Sequence, residues 1–182
     1  MRIDWAILEW IEDIFVCAFL DKVMPAITHL GDHGMIWIAI ALILLCHDRT
    51  RETGKRMLLG MLCGFLIGNV VLKNVIRRAR PCWFYPEREL LISSPKDFSF
   101  PSGHTLSSFI AAFTLFRRDR KAGAAALILA SCIAFSRLYL YVHFPSDIIG
   151  GVLLGYAVAG LTGRIFEMLS ANGGTKENTR TR

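Results

Sequence analysis

Five long apolar blocks restrict this chain more than any other feature. They cover residues 35–46, 57–76, 104–116, 122–141 and 148–169, and short polar or basic segments separate them. A helix needs about 20 apolar residues to cross the hydrocarbon core of a bilayer, and hydrophobic residues make up 53% of this chain. The blocks therefore predict an all-α integral membrane helical bundle of about six helices, with five spans and a weak or interfacial first segment.

The first 30 residues predict a different kind of helix. Apolar side chains recur on one side of residues 3–19, whereas Glu9, Glu12 and Asp13 fall on the other side. This pattern predicts an amphipathic helix at the membrane interface. A charged pair and Pro25 then interrupt the next apolar run, so the sequence leaves open whether this region crosses the membrane.

Small residues indicate how the helices pack into a domain. Gly60, Gly64 and Gly68 recur every four residues, which predicts a stripe that another helix approaches closely. We expect this contact within one chain, and the sequence leaves the oligomeric state open. A single membrane-embedded domain is predicted over residues 1–170, followed by a polar, disordered tail over 171–182.

Basic residues indicate the orientation of the helices. Twelve Lys or Arg lie in one set of segments and seven in the other, namely 47–56, 117–121 and 164–182 against 73–96 and Arg137. Because cytoplasmic segments carry the excess of basic residues, we expect a multi-pass protein of the cell membrane with a cytoplasmic C-terminus. Segments 73–104 and 136–147 then lie on the extracytoplasmic face.

The composition also excludes several partners. The net charge of +6 does not indicate nucleic acid, because the Lys and Arg residues lie mainly in short segments between apolar blocks. The five Cys residues show no CxxC pair and no Cys/His spacing typical of a metal site. No cluster of carboxylates has metal-ligand spacing. We therefore expect no metal, no cofactor and no nucleic-acid partner, and we expect contact with membrane lipids.

One polar stretch between two apolar blocks, residues 136–147, carries Arg137, His143 and Asp147. Ionisable groups beside a hydrocarbon-facing segment are costly, so they indicate a functional site. A helix that starts near Pro145 would let the carboxylate of Asp147 reach back to the imidazole. A histidine held by a carboxylate is a better base or nucleophile than a free one. A capping Asp beside an interfacial His is the alternative that this stretch alone leaves open.

Two further polar clusters fall on the same predicted face of the bundle. Lys73 and Arg80 lie at the outer end of a predicted helix, at helical spacing from Asn69. Residues 101–104, with the sequence Pro-Ser-Gly-His, begin an apolar helix whose free backbone amides would form an anion site. We interpret two intervening arginines as basic residues that snorkel at the membrane boundary: Arg77 and Arg78.

Together the three clusters suit a phosphate group. Lys73, Arg80 and Arg137 supply cations that stabilise charge on phosphoryl oxygens, and Ser102 and Gly103 supply open amides. Of the two histidines, one can attack phosphorus while the other protonates the leaving oxygen. Because no carboxylate cluster is evident, the cations take the place of a divalent metal.

The three clusters also resemble a known signature. Its parts, in chain order, are Lys73-x6-Arg80-Pro81, Pro101-Ser102-Gly103-His104 and Ser136-Arg137-x5-His143-x3-Asp147. This pattern is similar to the complete three-part signature of the type 2 phosphatidic acid phosphatase superfamily, which also includes the vanadium haloperoxidases. All parts match in order and in spacing. The apolar blocks around them resemble the membrane-embedded branch of that superfamily.

The resemblance implies a role for eight of the signature residues. His143 would be the nucleophile that forms a phosphohistidine, Asp147 would orient and activate it, and His104 would protonate the leaving group. Five residues would bind the phosphoryl group: Lys73, Arg80, Ser102, Gly103 and Arg137. We interpret His29 and His33, which flank a turn, as ordinary boundary histidines.

The resemblance further implies an integral membrane lipid phosphatase that removes a terminal phosphate from a lipid mono- or diphosphate. The small size and short loops are typical of a bacterial protein, in which an extracytoplasmic site suits undecaprenyl diphosphate. Phosphatidylglycerol phosphate and phosphatidic acid remain open as substrates. The sequence also argues against two other classes of protein. The spanning helices argue against a haloperoxidase, and the two intact histidines argue against a non-catalytic transporter with a phosphate pocket.

Overall fold

The computed structural model describes residues 2–177, and no strand occurs in this part of the chain. Its α-helices are α1 (Arg2–Phe15), α2 (Ala18–Leu30), α3 (Met35–Leu45), α4 (Arg51–Gly64), α5 (Lys73–Ile76), α6 (Gly103–Arg118), α7 (Arg120–Tyr139) and α8 (Pro145–Glu177). A π-helical segment, Phe65–Leu72, joins α4 to α5. The prediction of an all-α membrane bundle is confirmed.

Three helical segments are long and apolar enough to cross a membrane: Arg51–Trp83, Arg120–Tyr139 and Pro145–Leu169. The helices α2 and α3 are bent by 42° at the break between them, and together they form a candidate fourth span. Helix α6 has 16 residues, fewer than the roughly 20 that a straight span needs. Two of the five predicted spans therefore take another form, because α3 is half of a bent pair and α6 is a short central helix.

Helix α1 is the amphipathic helix predicted near the N-terminus, and it ends at Phe15 rather than at residue 19. Its apolar contacts are partly aromatic, since Trp5 packs edge-on against Phe84 and Phe144. One buried residue of α1 is charged, namely Asp4. A buried carboxylate on an amphipathic helix requires a partner, and its partner lies in the candidate site.

Helix α6 packs against α4, α7 and α8, and glycines allow the close approach. A methyl group at Gly64 would overlap Ile110, and one at Gly68 would overlap Leu106, both of which belong to α6. On the other side, a methyl group at Gly155 of α8 would lie 3.1 Å from Cβ of Phe109. The predicted glycine stripe is thus confirmed as a packing surface within one chain.

The two ends of the bundle differ in what they present. At one end, the last turns of α5 and α7 meet the first turns of α6 and α8. At the other end the two basic loops meet, since Nη2 of Arg118 donates to the carbonyl oxygen of Arg49 at 3.3 Å. Helix α8 continues to Glu177, into the first part of the tail for which we predict disorder, 171–182. The last five residues of that tail lie outside the described residues.

Candidate active site

The signature residues come together at one end of a cavity of about 820 Å³. Six of the eight line it: Lys73, Arg80, Gly103, His104, Arg137 and His143. The other two, Ser102 and Asp147, are fully buried beside these residues. Away from this polar end, side chains of α3, α4 and α6 make the walls apolar, among them Ile38, Leu58, Met61, Leu62 and Ile110.

The chain changes direction between Lys73 and Arg80. Helix α5 ends at Ile76, and Arg77 has left-handed backbone angles (φ 50°, ψ 39°). The chain then becomes extended, with Arg80 at φ −86° and ψ 154°. The prediction that Arg80 continues a helical face from Lys73 is therefore wrong. Arg80 reaches the cavity because the left-handed residue turns the chain back toward it.

The Arg80 guanidinium is buried, and several acceptors hold it. Its Nη1 donates to the carbonyl oxygen of Val142 at 2.8 Å and lies 3.0 Å from Nε2 of His143. Its Nε donates to the carbonyl oxygen of Asp97 at 2.7 Å. Backbone acceptors thus fix this cation beside one ring nitrogen of His143.

The carboxylate of Asp97 bridges two of the cations in the cavity. Its Oδ1 lies 2.6 Å from Nη2 of Arg80, and its Oδ2 pairs with Nζ of Lys73. Burial alone would raise the pKa of this carboxyl, but Arg80 and Lys73 lower the pKa to about 2. Asp97 is therefore an anion at any physiological pH. Its carboxylate is bound to Lys73 and Arg80, the two cations that the sequence predicts will bind a phosphate.

The carboxylate of Asp147 lies beside the ring of His143, as the spacing predicts, but at a longer distance than a hydrogen bond. Its Oδ2 is 3.5 Å from Nδ1 of His143. The same oxygen accepts from Oγ of Ser99 at 2.5 Å and from the backbone N–H of Phe144 at 2.8 Å. Oγ of Ser99 lies 3.4 Å from Nδ1 of His143, so the hydroxyl stands next to both groups.

His143 is held in its neutral form. The side chain is fully buried, and burial lowers the pKa of the imidazole well below its ordinary value. The charges of Arg80, Arg137 and Lys73 lower this pKa further. A neutral imidazole has a free lone pair on one nitrogen, which is the form that can act as a nucleophile.

Arg78 has a structural contact that the sequence did not reveal. Its Nη1 lies 2.5 Å from Oδ1 of Asp147, and its Nη2 lies 2.8 Å from Oδ2 of Asp4. The guanidinium also stacks on the ring of Phe144, 4.3 Å from its centroid. The interpretation of Arg78 as a snorkelling boundary residue is therefore wrong, because it neutralises two buried carboxylates. Through Asp4, it also ties α1 to the candidate site.

The guanidinium of Arg137 has a buried N–H group that makes no hydrogen bond to the described residues. Its Nη1 donates to Oγ1 of Thr28 at 2.6 Å, while its buried Nε has no hydrogen-bond partner among the described residues. A buried N–H without an acceptor costs about 1–3 kcal/mol. Arg137 lines the cavity, so a bound oxyanion offers an acceptor for this group.

The start of α6 is only partly open, because the backbone N–H of Ser102 donates to the carbonyl oxygen of Asp147 at 3.2 Å. The prediction that Ser102 supplies an open amide is therefore wrong. Oγ of Ser102 caps the helix by accepting from the backbone N–H of Thr105 at 3.4 Å. Gly103 follows with no side chain, and a methyl group there would lie 3.1 Å from the amide of Asn69. His104 comes next, and its Nε2 lies 2.9 Å from Oδ1 of Asp32. The helix therefore places backbone amides and a histidine beside the cations.

No group of three His, Cys, Asp or Glu side chains comes together in a metal-binding arrangement within residues 2–177. Three cations line the polar end of the cavity, and the two carboxylates there, Asp32 and Asp97, are already paired with a histidine or with cations. This donor set suits an anion rather than a divalent metal.

Comparison with protein-family models shows which family has this arrangement. A model described as the PAP2 superfamily matches residues 54–170, from α4 to α8. The chain belongs to the PAP2 superfamily.

Individual members of the PAP2 superfamily are similar to this chain in sequence and in structure. An undecaprenyl-diphosphatase from Sulfolobus acidocaldarius is 34% identical over 149 residues, covering 81% of this chain and 71% of the relative. Phosphatidylglycerophosphatase B from Bacillus subtilis is 33% identical over 149 residues, covering 75% and 70%. The crystal structure of a transmembrane PAP2-type phosphatidylglycerolphosphate phosphatase from Bacillus subtilis superposes with a TM-score of 0.74 at 30% identity, covering 92% of this chain and 86% of that chain.

The sequence did not indicate that several further residues belong to this PAP2 site, namely Asp4, Asp32, Arg78, Asp97 and Ser99. Asp97 and Ser99 had a local signal, because they lie within five residues of the Pro-Ser-Gly-His motif. The other three had none. Their partners are distant along the chain, so only the folded structure brings them together.

Replacing Arg78 by Gln tests its role. The change leaves the fully buried Asp147 without its cation, and breaking a buried ion pair of this kind costs about 3–5 kcal/mol. We expect the thermal unfolding midpoint in detergent to fall clearly for Arg78→Gln. Arg77→Gln is the matched control, since Arg77 is exposed and adjacent. Equal midpoints for the two variants would show that the Asp147 pair does not stabilise the fold.

Replacing Asp97 by Asn tests whether this carboxylate competes with oxyanions. Orthovanadate, a phosphate analogue, must displace Asp97 from Lys73 and Arg80. We expect Asp97→Asn to bind orthovanadate about tenfold more tightly, which corresponds to one charge-assisted hydrogen bond of roughly 1.5 kcal/mol. Calorimetric titration measures this change.

The matched control for Asp97→Asn is Glu87→Gln, which removes an exposed carboxylate from the same loop. We expect this variant to bind orthovanadate like the unmodified protein. Unchanged or weaker vanadate binding by Asp97→Asn would rule out competition at the two cations.

Proposed function

We propose that this protein is an integral membrane lipid phosphatase that hydrolyses a terminal phosphate of a lipid mono- or diphosphate. The observation that carries the proposal is the composition of the cavity. Its polar end holds three cations together with His104 and His143, and its walls between α3, α4 and α6 are apolar. A lipid phosphate has the same division, because its headgroup is anionic and its chain is apolar. A soluble phosphate ester would gain nothing from the apolar walls.

In the proposed first step, Nε2 of His143 attacks phosphorus. The new P–N bond forms as the bond from phosphorus to the leaving oxygen breaks, and His104 gives its proton to that oxygen. Nε2 is the nitrogen that faces Arg80, whereas Nδ1 faces Asp147 and Ser99. The neutral state of His143 leaves a lone pair available for the attack.

In the proposed second step, water attacks phosphorus and the P–N bond breaks. The proton of the attacking water goes to His104, which returns both histidines to their starting state and releases inorganic phosphate. Throughout, the phosphoryl oxygens would be bound by Lys73, Arg80, Arg137 and the backbone amide of Gly103. Each of these donors also stabilises the charge that develops in the transition state. Ser102 would support this arrangement as the N-cap of α6.

Undecaprenyl diphosphate is the substrate that we propose first. The relative from Sulfolobus acidocaldarius that is named for this activity is 34% identical to the chain. Phosphatidylglycerol phosphate is the second candidate, because relatives named for that activity are similar to nearly the same degree in sequence and superpose well. A diphosphate suits three cations better than a monophosphate does, since it brings more negative charge to the same site.

The orientation in the membrane is part of the proposal. The candidate site lies at the end of the bundle opposite the two basic loops, which contact each other at Arg49 and Arg118. By the excess of basic residues, those loops lie in the cytoplasm and the site opens to the extracytoplasmic side. Lipid diphosphates released outside the cytoplasm would then reach the site without crossing the bilayer.

A panel of lipid phosphates tests the proposed activity. Purified protein in detergent and EDTA is offered undecaprenyl diphosphate, phosphatidylglycerol phosphate, phosphatidic acid and diacylglycerol pyrophosphate, and released inorganic phosphate is measured. We expect hydrolysis in EDTA, with the highest kcat/KM for undecaprenyl diphosphate. In His143→Ala we expect a loss of roughly a thousandfold or more, because the nucleophile is absent.

The control for this panel is His47→Ala, since His47 is exposed in a basic loop at the other end of the bundle. We expect it to retain full activity. Full activity of His143→Ala would remove the proposed nucleophile, and a strict requirement for Mg²⁺ would overturn the metal-independent mechanism. A higher kcat/KM for phosphatidylglycerol phosphate would select the second candidate substrate.

Reporter fusions at the C-terminus test the orientation. We expect a green fluorescent protein fusion to fluoresce and an alkaline phosphatase fusion to remain inactive, because the first works in the cytoplasm and the second only outside it. The matched fusion carries the same reporters in the loop after Trp83, where the opposite result is expected. An active alkaline phosphatase at the C-terminus would reverse the proposed sidedness.

A further inference from the structure

The candidate site contains a second carboxylate–histidine pair, Asp32 and His104, in addition to Asp147 and His143. Oδ1 of Asp32 is 2.9 Å from Nε2 of His104, and Oδ2 of the same carboxylate is 2.7 Å from Nδ1 of His29. The three side chains form a line from the protein surface inward, with exposed fractions of 63% for His29, 34% for Asp32 and 19% for His104. Neither Asp32 nor His29 belongs to the signature.

The hydrogen bond fixes which nitrogen of His104 carries hydrogen. An ionised carboxylate can only accept a hydrogen bond, so Nε2 of His104 must be the donor to Asp32. The other ring nitrogen, Nδ1, makes no hydrogen bond to any described residue, and His104 lines the cavity. Nδ1 is thus the nitrogen that remains for a proton transfer with a bound substrate.

The turn that carries Asp32 is shaped to hold this contact. His33 and Gly34 both have left-handed backbone angles, with φ values of 51° and 69°. For a residue other than glycine this conformation is uncommon, and such residues concentrate at functional sites. Gly31 lets the turn approach the imidazole, because a Cβ at this position would lie 2.8 Å from Cδ2 of His104.

We propose that Asp32 is a positioning residue for His104, held in turn by His29 through its second oxygen. This inference rests on the proposed function, in which His104 donates a proton to the leaving oxygen. Burial and the charge of Arg137 lower the pKa of His104 to about 4, so the ring is neutral before substrate binds. Because Asp32 keeps hydrogen on Nε2, Nδ1 is the nitrogen that takes up a proton when an anionic substrate binds and then transfers it to the leaving oxygen. The negative charge of Asp32 also stabilises the imidazolium before the transfer. Asp32 serves His104 in the way that Asp147 serves His143.

The leaving group provides a readout that a merely structural role would not give. The alkoxide of dodecyl phosphate must be protonated as it leaves, whereas the phenolate of 4-nitrophenyl phosphate leaves without a proton. We expect Asp32→Asn to lower kcat on dodecyl phosphate by about 10- to 100-fold, since general acid catalysis contributes roughly that much or more. On 4-nitrophenyl phosphate we expect a loss of about threefold or less.

Three further variants sharpen this comparison. His104→Ala should show the same dependence on the leaving group, and the double variant with Asp32→Asn should lose little more. Asp32→Glu should restore part of the activity on dodecyl phosphate. His47→Ala is the control, because it removes an exposed imidazole from a basic loop at the other end of the bundle. We expect it to behave like the unmodified protein on both phosphates.

A tautomer measurement tests the inference without any turnover. In protein labelled with ¹⁵N-histidine, we expect His104 to carry hydrogen on Nε2, with its signals assigned by their loss in His104→Gln. In Asp32→Asn, the amide of Asn offers an N–H to Nε2, so the hydrogen should move to Nδ1. This result would stand even if every lipid phosphate tested were refused and the proposed function failed.

Two outcomes would overturn the inference. If Asp32→Asn lost the same factor on both phosphates, Asp32 would only support the turn. If the tautomer of His104 were the same in Asp32→Asn and in the unmodified protein, the carboxylate would not set it. Loss of activity in His143→Ala with normal leaving-group behaviour in Asp32→Asn would retain the proposed phosphatase and remove only the role of Asp32.

Discussion

The dominant constraint on this protein is the cost of placing charges inside an apolar bundle. A cation that leaves water loses several kcal/mol of hydration unless an anion or several acceptors replace it. Arg80, Arg78 and Lys73 are therefore each paired with an aspartate. The pairs fix the positions of loops that have no regular secondary structure. In this sense, the charges needed for an oxyanion site also hold together the end of the bundle that contains it.

Helix α6 connects this charged end to the apolar packing. Its first residues supply the N-terminal amides and His104, and the rest of the helix packs closely on glycines of the neighbouring helices. A helix that could slide by one turn would carry His104 about 5 Å away from His143. Such a shift would produce steric overlap, because Ile110 and Leu106 fit closely against Gly64 and Gly68. This packing along the cavity wall therefore holds the two histidines at a fixed separation.

The sequence predicts the helical bundle, and its motifs name eight residues of which six line one cavity, because both follow from local patterns. Apolar blocks determine helices, and the signature places its residues at helix ends. The sequence fails where a contact joins distant segments. Arg78 was misinterpreted because its two carboxylates lie 69 residues later and 74 residues earlier in the chain. The predicted helical path from Lys73 to Arg80 is also wrong, because no sequence pattern indicates that Arg77 has left-handed backbone angles. Asp32 looked like part of an ordinary turn until the fold placed it against His104.

The bridge formed by Asp97 has a consequence for selectivity among lipids. A membrane presents bulk phospholipids at very high local concentration, and their headgroup phosphates are diesters with one negative charge. A terminal phosphate or diphosphate carries more charge, and its attraction to two cations is correspondingly stronger. To bind Lys73 and Arg80, a phosphate must displace the carboxylate of Asp97 from them. We expect a phosphodiester to displace it poorly and a terminal phosphate to displace it readily. The protein thus carries an internal anion with which every bound phosphate would have to compete.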